Sequence, residues 1–217
     1  MFQAVLFDMD GLMFDTERLA KQAWTAVGAR YGVEIGEAVL SRIRGATPEA
    51  SAAVFREAFG PAFPYAEARA ARKAWVEDVI SREGVPVKRG LTALLPRLQS
   101  EGIPAAVVSS SAEAVIRRYL EQSSLGGFFK AAIGEEHLTR SKPAPDGYLA
   151  AARLLRVPPS ACLVLEDSAN GLLAAKNAGM AAVCIPDIAP PEENALRTAA
   201  AVLDSLGEVW EWMAGNA

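Results

Sequence analysis

The feature that most restricts the possible folds is an alternation of short apolar runs and helical patterns that starts near Gly90. The apolar runs are short enough to be buried strands, and an amphipathic segment follows each of them. Strands and helices that alternate in this way form right-handed βαβ units, with a parallel sheet covered on both faces. We therefore predict an α/β fold, a doubly wound parallel (Rossmann-like) sheet. Its predicted strands in this region are 103–108, 128–133, 161–165 and 181–185.

One further apolar run, Ala4–Phe7, reads as a first buried strand, but no convincing strand follows it until after residue 84. Helical patterns fill the interval, and Thr47 before Pro48 is typical of a helix start. This departure from simple alternation predicts an insertion. We expect residues 1–15 and 85–217 to form the α/β core and residues 16–84 to form an α-helical cap domain.

Composition excludes several classes of function. The net charge of −4 gives no electrostatic reason to expect nucleic acid binding. There is no basic segment followed by a long apolar one at Met1, and no apolar run approaches the roughly 18 residues of a membrane span. Cys162 and Cys184 lie inside strand-like runs, which favours two buried reduced thiols over a disulfide. We expect a cytoplasmic monomer without a membrane partner.

Two carboxylates, Asp8 and Asp10, directly follow the first predicted strand, and Gly11 then permits a sharp turn. Side chains at i and i+2 of an extended segment project to the same side, so the two charges lie close together. This arrangement is unfavourable unless a cation lies between them or one holds a proton. Metal binding, acid-base chemistry and nucleophilic attack are all open to the pair. The alternative is a solvated turn, since Asp and Gly are common turn residues.

Other polar residues also follow predicted strands. The segment 109–111 is three serines, and Glu166 and Asp167 follow the strand that ends at Leu165. Each has a simpler explanation: the serines as helix N-caps, the acidic pair as a solvated turn, and Lys142 as an exposed loop lysine. However, open α/β sheets bind ligands beyond the carboxyl ends of their strands. We therefore expect these groups to meet at one edge of the sheet.

Together these residues suit phosphoryl transfer. Asp8, Asp10 and Asp167 offer the hard oxygen ligands that Mg²⁺ prefers. A serine at a helix N-terminus offers its hydroxyl and backbone N–H groups to phosphate oxygens, and Lys142 adds a positive charge. One aspartate then serves as nucleophile and the other as proton shuttle. Phosphoryl transfer depends mainly on positioning and charge neutralisation, which this set provides.

With this set of residues the chain resembles the haloacid dehalogenase-like hydrolase superfamily, in the branch with β-phosphoglucomutase and small-metabolite phosphatases. The resemblance spans nearly the whole chain and rests on four motifs in order. They are Phe7–Gly11 with Asp15–Glu17, then Val107–Ser109, then Lys142–Asp146, and finally Leu165–Ser168 with its continuation to Met180.

The resemblance implies a role for each motif. Asp8 is expected to be the nucleophile and Asp10 the general acid-base, with the backbone carbonyl of Asp10 also reaching the metal. Phosphate binding is implied for three side chains, Ser109, Ser110 and Lys142. The implied Mg²⁺ site consists of Asp8, Asp10, Glu166 and Asp167.

The helical insertion is then expected to be the family's mobile cap, which excludes water and contacts the leaving group. Thr16 is expected at the cap hinge, near Asp10. We predict that Arg44, at the end of the second cap helix, contacts the leaving group. The alternative is that Arg44 is a solvated arginine at a helix end. The other candidates are Arg18, Trp24, Thr47 and Arg72.

The type of reaction is predicted from the positions at which this chain differs from particular branches of the superfamily. Dehalogenases lack the second aspartate, so Asp10 indicates phosphate chemistry; phosphonate-cleaving relatives need a cap lysine, and neither Lys21 nor Lys73 has a suitable context. Mutases carry a His where this chain has Ala20 and a cap Arg where it has Pro48. We predict a Mg²⁺-dependent phosphatase that hydrolyses a small phosphomonoester, a sugar phosphate or similar metabolite, through an aspartyl-phosphate. The alternatives are a β-phosphoglucomutase-type mutase and a catalytically silent binding protein.

Overall fold

The computed structural model describes residues 2–43 and 46–216. The described residues form six strands and ten α-helices. The strands are β1 (Ala4–Phe7), β2 (Ala105–Val108), β3 (Phe129–Ile133), β4 (Cys162–Glu166), β5 (Ala181–Cys184) and β6 (Ala201–Val202). The helices are α1 (Thr16–Arg30), α2 (Glu37–Ile43), α3 (Pro48–Phe59), α4 (Tyr65–Glu83), α5 (Leu91–Ser100), α6 (Glu113–Gln122), α7 (Asp146–Leu155), α8 (Ala169–Asn177), α9 (Glu193–Leu196) and α10 (Val209–Gly215).

The chain divides into two compact units. One unit contains Met1–Asp15 and Val85–Ala217, and the other is the continuous segment Thr16–Gly84. The first unit holds all six of the described strands, and the second holds α1 to α4 and no described strand.

The first unit is built on one parallel sheet with the strand order β3-β2-β1-β4-β5-β6. β1 lies between β2 and β4, with Phe7 paired to Val107 on one side and to Leu165 on the other. The chain builds β2 and β3 on one side of β1 and then crosses over to build β4, β5 and β6 on the other. This reversal is the position at which doubly wound sheets bind ligands. The predicted fold class is confirmed.

The strands are buried because helices cover the sheet. Ala4 and Leu6 of β1 point to one face, where they pack in an apolar cluster with Val164 and with Tyr148 and Ala151 of α7. The alternate residues of β1, Val5 and Phe7, are fully buried on the opposite face. Such strands are apolar at every position, which is why the sequence reads as continuous runs and not as alternating ones.

The helical unit has an aromatic core of its own. Trp24 and Phe55 lie with ring centroids 4.8 Å apart, and both belong to a buried cluster with Val27 and Ala68. Thr47 caps α3, as predicted: its hydroxyl accepts a hydrogen bond from the Ala50 backbone N–H at 3.3 Å. This capping accounts for the Thr-Pro pair at the start of that helix.

Two details of the α/β unit bear on the sequence predictions. The sixth strand, β6, was not predicted, because two residues at the edge of a sheet give no periodic signal. Cys162 and Cys184 are buried free thiols, as expected from their place in strands.

Within the described ranges, no helix combines the length and the apolar character needed to cross a membrane.

Candidate active site

The carboxyl ends of β1, β2 and β4 bring the predicted polar residues to one edge of the sheet. The Asp8 backbone N–H donates to the Leu165 carbonyl at 3.0 Å, so the ladder between β1 and β4 continues to the first aspartate. Ser109, which follows β2, donates its backbone N–H to Ile133 of β3 at 3.0 Å. Asp8, Ser109 and Glu166 are all buried there, with Asp8 only 8% exposed. These are therefore not solvated turn residues.

Lys142 reaches into this edge from the loop before α7. Its ammonium donates hydrogen bonds to Asp8 Oδ1, to Glu166 Oε1 at 2.5 Å and to the Val108 carbonyl at 3.3 Å. The Lys142 side chain is 10% exposed and its nitrogen lies 5.0 Å from the centroid of the Tyr148 ring. The alternative of an exposed loop lysine is thus excluded, and the ammonium ties the ends of β1, β2 and β4 together.

Glu166 anchors this arrangement. Its two oxygens accept five hydrogen bonds, from Lys142, from the Tyr148 hydroxyl at 2.7 Å, and from the Asp167 N–H, the Ser168 N–H and the Ser168 hydroxyl. A carboxylate offers about four lone-pair sites, so these donors occupy its capacity. Glu166 also packs directly against Gly171, where a Cβ would overlap the carboxylate. The contacts assign Glu166 to holding Lys142 in place.

Three carboxylates lie close enough to share a cation. Asp8, Glu166 and Asp167 each present an oxygen within 4.8 Å of the others. Because the donors around Glu166 occupy its oxygens, Asp8 and Asp167 are the better placed to bind a metal directly. Gly11, at φ +85°, leaves room for Asp167, since a Cβ at Gly11 would overlap Asp167 Oδ2. A set of hard carboxylate oxygen donors of this kind suits Mg²⁺.

The Asp10 carboxylate is not part of this group and bonds to serines instead. Its Oδ2 accepts a hydrogen bond from the Ser111 hydroxyl at 2.9 Å and lies 3.5 Å from the Ser109 hydroxyl. Ser109 Oγ in turn accepts from the Ser111 backbone N–H at 3.0 Å. The alternative in which the serines cap α6 is wrong, because Ala112 occupies the N-cap position and makes no side-chain cap bond. The two serines instead hold the second aspartate.

Burial and charge shift the protonation of the cluster. Burial raises the pKa of Asp8 to about 8, against the opposing effect of Lys142. Burial, then the charges of Asp8 and Glu166, raise the pKa of Asp167 well above its ordinary value. Burial disfavours the charged form of Lys142, but Asp8 and Glu166 outweigh it and hold its pKa well above the usual range. Lys142 likewise outweighs burial at Glu166 and lowers the pKa of that carboxyl. A bound cation would displace protons from the aspartates.

The other predicted site residues lie in different places. Ser110 is exposed beside the buried Ser109. Thr16 is the buried first residue of α1 in the helical unit, and Arg44 lies outside the described residues. Two of the candidates for leaving-group contact have structural roles instead. Trp24 is 5% exposed in the core of the helical unit, and Thr47 caps α3.

One residue of the cluster was not singled out from the sequence. Tyr148 is fully buried in the first turns of α7, and its hydroxyl bonds Glu166. A signal was available, because this tyrosine is the only aromatic residue of α7 and follows closely after the Lys142–Pro145 segment. A buried tyrosine needs a partner for its hydroxyl, and the nearby acidic motif offered one.

The model of the haloacid dehalogenase-like hydrolase family matches residues 2–179 of this chain. The chain belongs to this family. It is similar to the validoxylamine A 7'-phosphate phosphatase of Streptomyces hygroscopicus subsp. limoneus, with 31% identity over 96% of each chain. It is also 32% identical to hexitol phosphatase A of Escherichia coli K12, over 94% of this chain and 91% of that one.

Among solved structures, the putative β-phosphoglucomutase of Thermotoga maritima superposes with a TM-score of 0.83 at 25% identity, covering 99% of this chain and all of the other. The family predicted from the four motifs is therefore confirmed. The phosphatase names of the relatives in this hydrolase family also confirm the predicted enzyme class, a phosphoric monoester hydrolase.

Proposed function

We propose that this haloacid dehalogenase-like hydrolase is a Mg²⁺-dependent phosphatase that hydrolyses a small phosphomonoester through an aspartyl-phosphate on Asp8. The observation that carries the proposal is the hydrogen bond between buried Lys142 and Asp8. An ammonium fixed at the nucleophile neutralises the charge of an incoming phosphoryl group, which would otherwise repel a carboxylate. Sugar phosphates or similar metabolites are the proposed substrates, in line with the phosphatase names of the relatives.

In the proposed first step, an oxygen of Asp8 attacks phosphorus, the bond from phosphorus to the leaving oxygen breaks, and Asp10 gives that oxygen a proton. In the second step, Asp10 takes a proton from water as the water oxygen attacks the phosphorus. Phosphate then leaves and the Asp8 carboxylate is restored. The hydrogen bond from Ser111 orients Asp10 for both transfers.

Phosphate binding in this proposal uses Ser109 and Ser110 together with Lys142. Ser109 is 2% exposed at the end of β2, and the exposed Ser110 adds its hydroxyl and backbone N–H at the edge. Asp8 and Asp167, with the Asp10 carbonyl, would hold Mg²⁺. Glu166 would not bind the cation directly, because hydrogen bonds already occupy both of its oxygens. Bound there, the cation would neutralise charge on the phosphoryl oxygens.

The helical unit Thr16–Gly84 is proposed to be the cap that selects the leaving group, with Thr16 and Arg44 contributing to its hinge and specificity. A mutase is not favoured, because relatives above 30% identity over nearly the whole chain are named phosphatases. The departures at Ala20 and Pro48 agree with this view.

The test is release of inorganic phosphate from a panel of sugar phosphates, polyol phosphates, nucleotides and phosphoglycolate, with Mg²⁺ or with EDTA. We expect turnover that requires the metal and favours one chemical group. Conversion of β-glucose 1-phosphate into the 6-phosphate with a bisphosphate primer would establish the mutase instead. No release across the panel, and no mutase activity, would contradict the proposal and favour a silent binding protein.

A further inference from the structure

Outside the residues assigned above, Asp187 is a buried carboxylate beside the cluster. It lies three residues after β5, at the same edge of the sheet as Glu166 and Asp167. The Ile185 backbone N–H donates to the Glu166 carbonyl at 2.7 Å, which extends the pairing of β5 with β4 toward Asp187. This pairing brings the segment after β5 alongside the acidic motif.

The two oxygens of Asp187 have different surroundings. Oδ1 lies 2.5 Å from the Lys88 ammonium in an ion pair whose side chains are 4% exposed for Asp187 and 17% for Lys88. Oδ2 is also buried, yet it accepts no hydrogen bond from any group in the described part of the chain. A buried carboxylate oxygen without a donor is costly, so a missing donor is the simplest explanation of its position.

Oδ2 lies near Asp167, one of the proposed metal ligands. The space beside Gly11, where a Cβ would sit, lies within 3.4 Å of both Asp187 Oδ2 and Asp167 Oδ2. Two carboxylate oxygens that face the same space repel each other unless a donor or a cation separates them. A cation on Asp167 that keeps water ligands supplies such a donor, since Mg²⁺ usually retains several waters in proteins.

We infer that Asp187 is a positioning residue of the metal site, whose Oδ2 accepts a hydrogen bond from a water on the cation while Lys88 holds its Oδ1. The inference rests on the metal dependence in the proposed function. Carboxylates that hydrogen-bond the ligands of a metal commonly strengthen binding 10- to 100-fold. Lys88 is itself fixed, because its backbone N–H donates to the Met13 carbonyl at 2.9 Å.

The experiment is a calorimetric titration of the metal-free protein with MgCl₂, with the Mg²⁺-dependent rise in thermal midpoint as a second readout. Asp187→Asn keeps the size of the side chain but can no longer offer two acceptor oxygens. We expect its Kd for Mg²⁺ to rise about 10-fold or more. The control Asp204→Asn removes the same charge from an exposed position of the same unit, and its Kd should stay within twofold of the wild-type value.

A charge-neutral double variant, Lys88→Met with Asp187→Leu, removes every acceptor oxygen at position 187 without changing the net charge, and so separates the loss of the acceptor from the loss of charge. It removes both partners of the ion pair, so it also carries the test if Asp187→Asn folds poorly. We expect its Kd to rise as well. A wild-type Kd in either Asp187 variant would overturn the inference, as would a wild-type protein that binds no Mg²⁺.

The outcomes also separate this inference from the proposed function. Unchanged Mg²⁺ affinity in the Asp187 variants, alongside metal-dependent phosphate release by the wild type, would remove only the role of Asp187. Weaker Mg²⁺ binding in the variants of a protein that releases no phosphate would leave the role of Asp187 and remove the phosphatase.

Discussion

Lys142 and Glu166 form a buried ion pair in which the ammonium lies 2.5 Å from Glu166 Oε1, with the two side chains 10% and 0% exposed. Charges removed from water in this way are stable only when further hydrogen bonds surround them. Glu166 has those bonds, and Lys142 also donates to Asp8 and to the Val108 carbonyl. The position of the Lys142 charge is therefore set by the core of the α/β unit and not by a surface loop.

Tyr148→Phe tests the support of this ion pair. The substitution removes one donor to Glu166 and leaves the ring in place beneath Lys142. We expect the free energy of unfolding to fall by about 1–3 kcal/mol, because a buried charged acceptor loses a hydrogen bond. Urea denaturation measures this change, and the slope m should stay the same. A loss below about 0.5 kcal/mol would show that the hydroxyl is not needed.

Gly171→Ala tests the close packing of Glu166 against α8. In an ordinary helix this change is favourable by roughly 0.5–1 kcal/mol. Here a Cβ would overlap the Glu166 carboxylate, so we expect destabilisation of about 3 kcal/mol or more and loss of turnover.

The matched control is Gly127→Ala, where a Cβ would meet nothing within 4 Å. Its free energy of unfolding should stay within about 0.5 kcal/mol of the wild-type value. Equal stability of the two variants in chemical denaturation would contradict the packing described for Glu166.

Ser111→Ala tests the orientation of Asp10. The variant loses the 2.9 Å hydrogen bond to Asp10 Oδ2 but keeps Asp10 itself. We expect kcat to fall about 10-fold with little change in KM, because proton transfer depends on the placement of the acid-base in the transition state. Ser100→Ala, at the exposed end of α5, is the control and should keep both constants. A change in KM alone would assign Ser111 to substrate binding instead.

Binding of Mg²⁺ should depend on pH. With the pKa of Asp8 raised to about 8, a cation must displace a proton below that pH. We expect the affinity to rise toward pH 8 by up to about tenfold per pH unit for each aspartate that gives up a proton, and the rise to become less steep above pH 8, where Asp8 has lost its proton. Calorimetry between pH 6 and 9 measures this trend, and an affinity independent of pH would contradict the protonation of Asp8.

The same shift has a consequence for stability without metal. A carboxyl whose pKa is raised in the folded state stabilises the fold fully below its unfolded pKa of about 4. That contribution is lost as the pH rises to about 8. The thermal midpoint of the metal-free protein should therefore fall over this range, and Mg²⁺ should oppose the fall.

Much of this architecture could be predicted because its signals are local. Continuous apolar runs identify buried parallel strands, and the rule for strand ends then places Asp8 beside Glu166 and Asp167. The role of Glu166 was less accessible, because carboxylates that bind metal and carboxylates that anchor a lysine look alike in a sequence. Tyr148 and Asp187 lie further along the chain, and their contacts depend on how α7 and the segment after β5 pack in three dimensions.

In the proposed mechanism Asp8 is the nucleophile, and phosphate release by the Asp8→Asn variant tests this role. The assay compares this variant with the wild type on the best substrate of the panel, with Mg²⁺ and at equal folded concentration. We expect turnover to fall by a factor on the order of 10³ or more, since an amide is a poor nucleophile for phosphorus. Turnover within tenfold of the wild-type value would contradict the covalent mechanism.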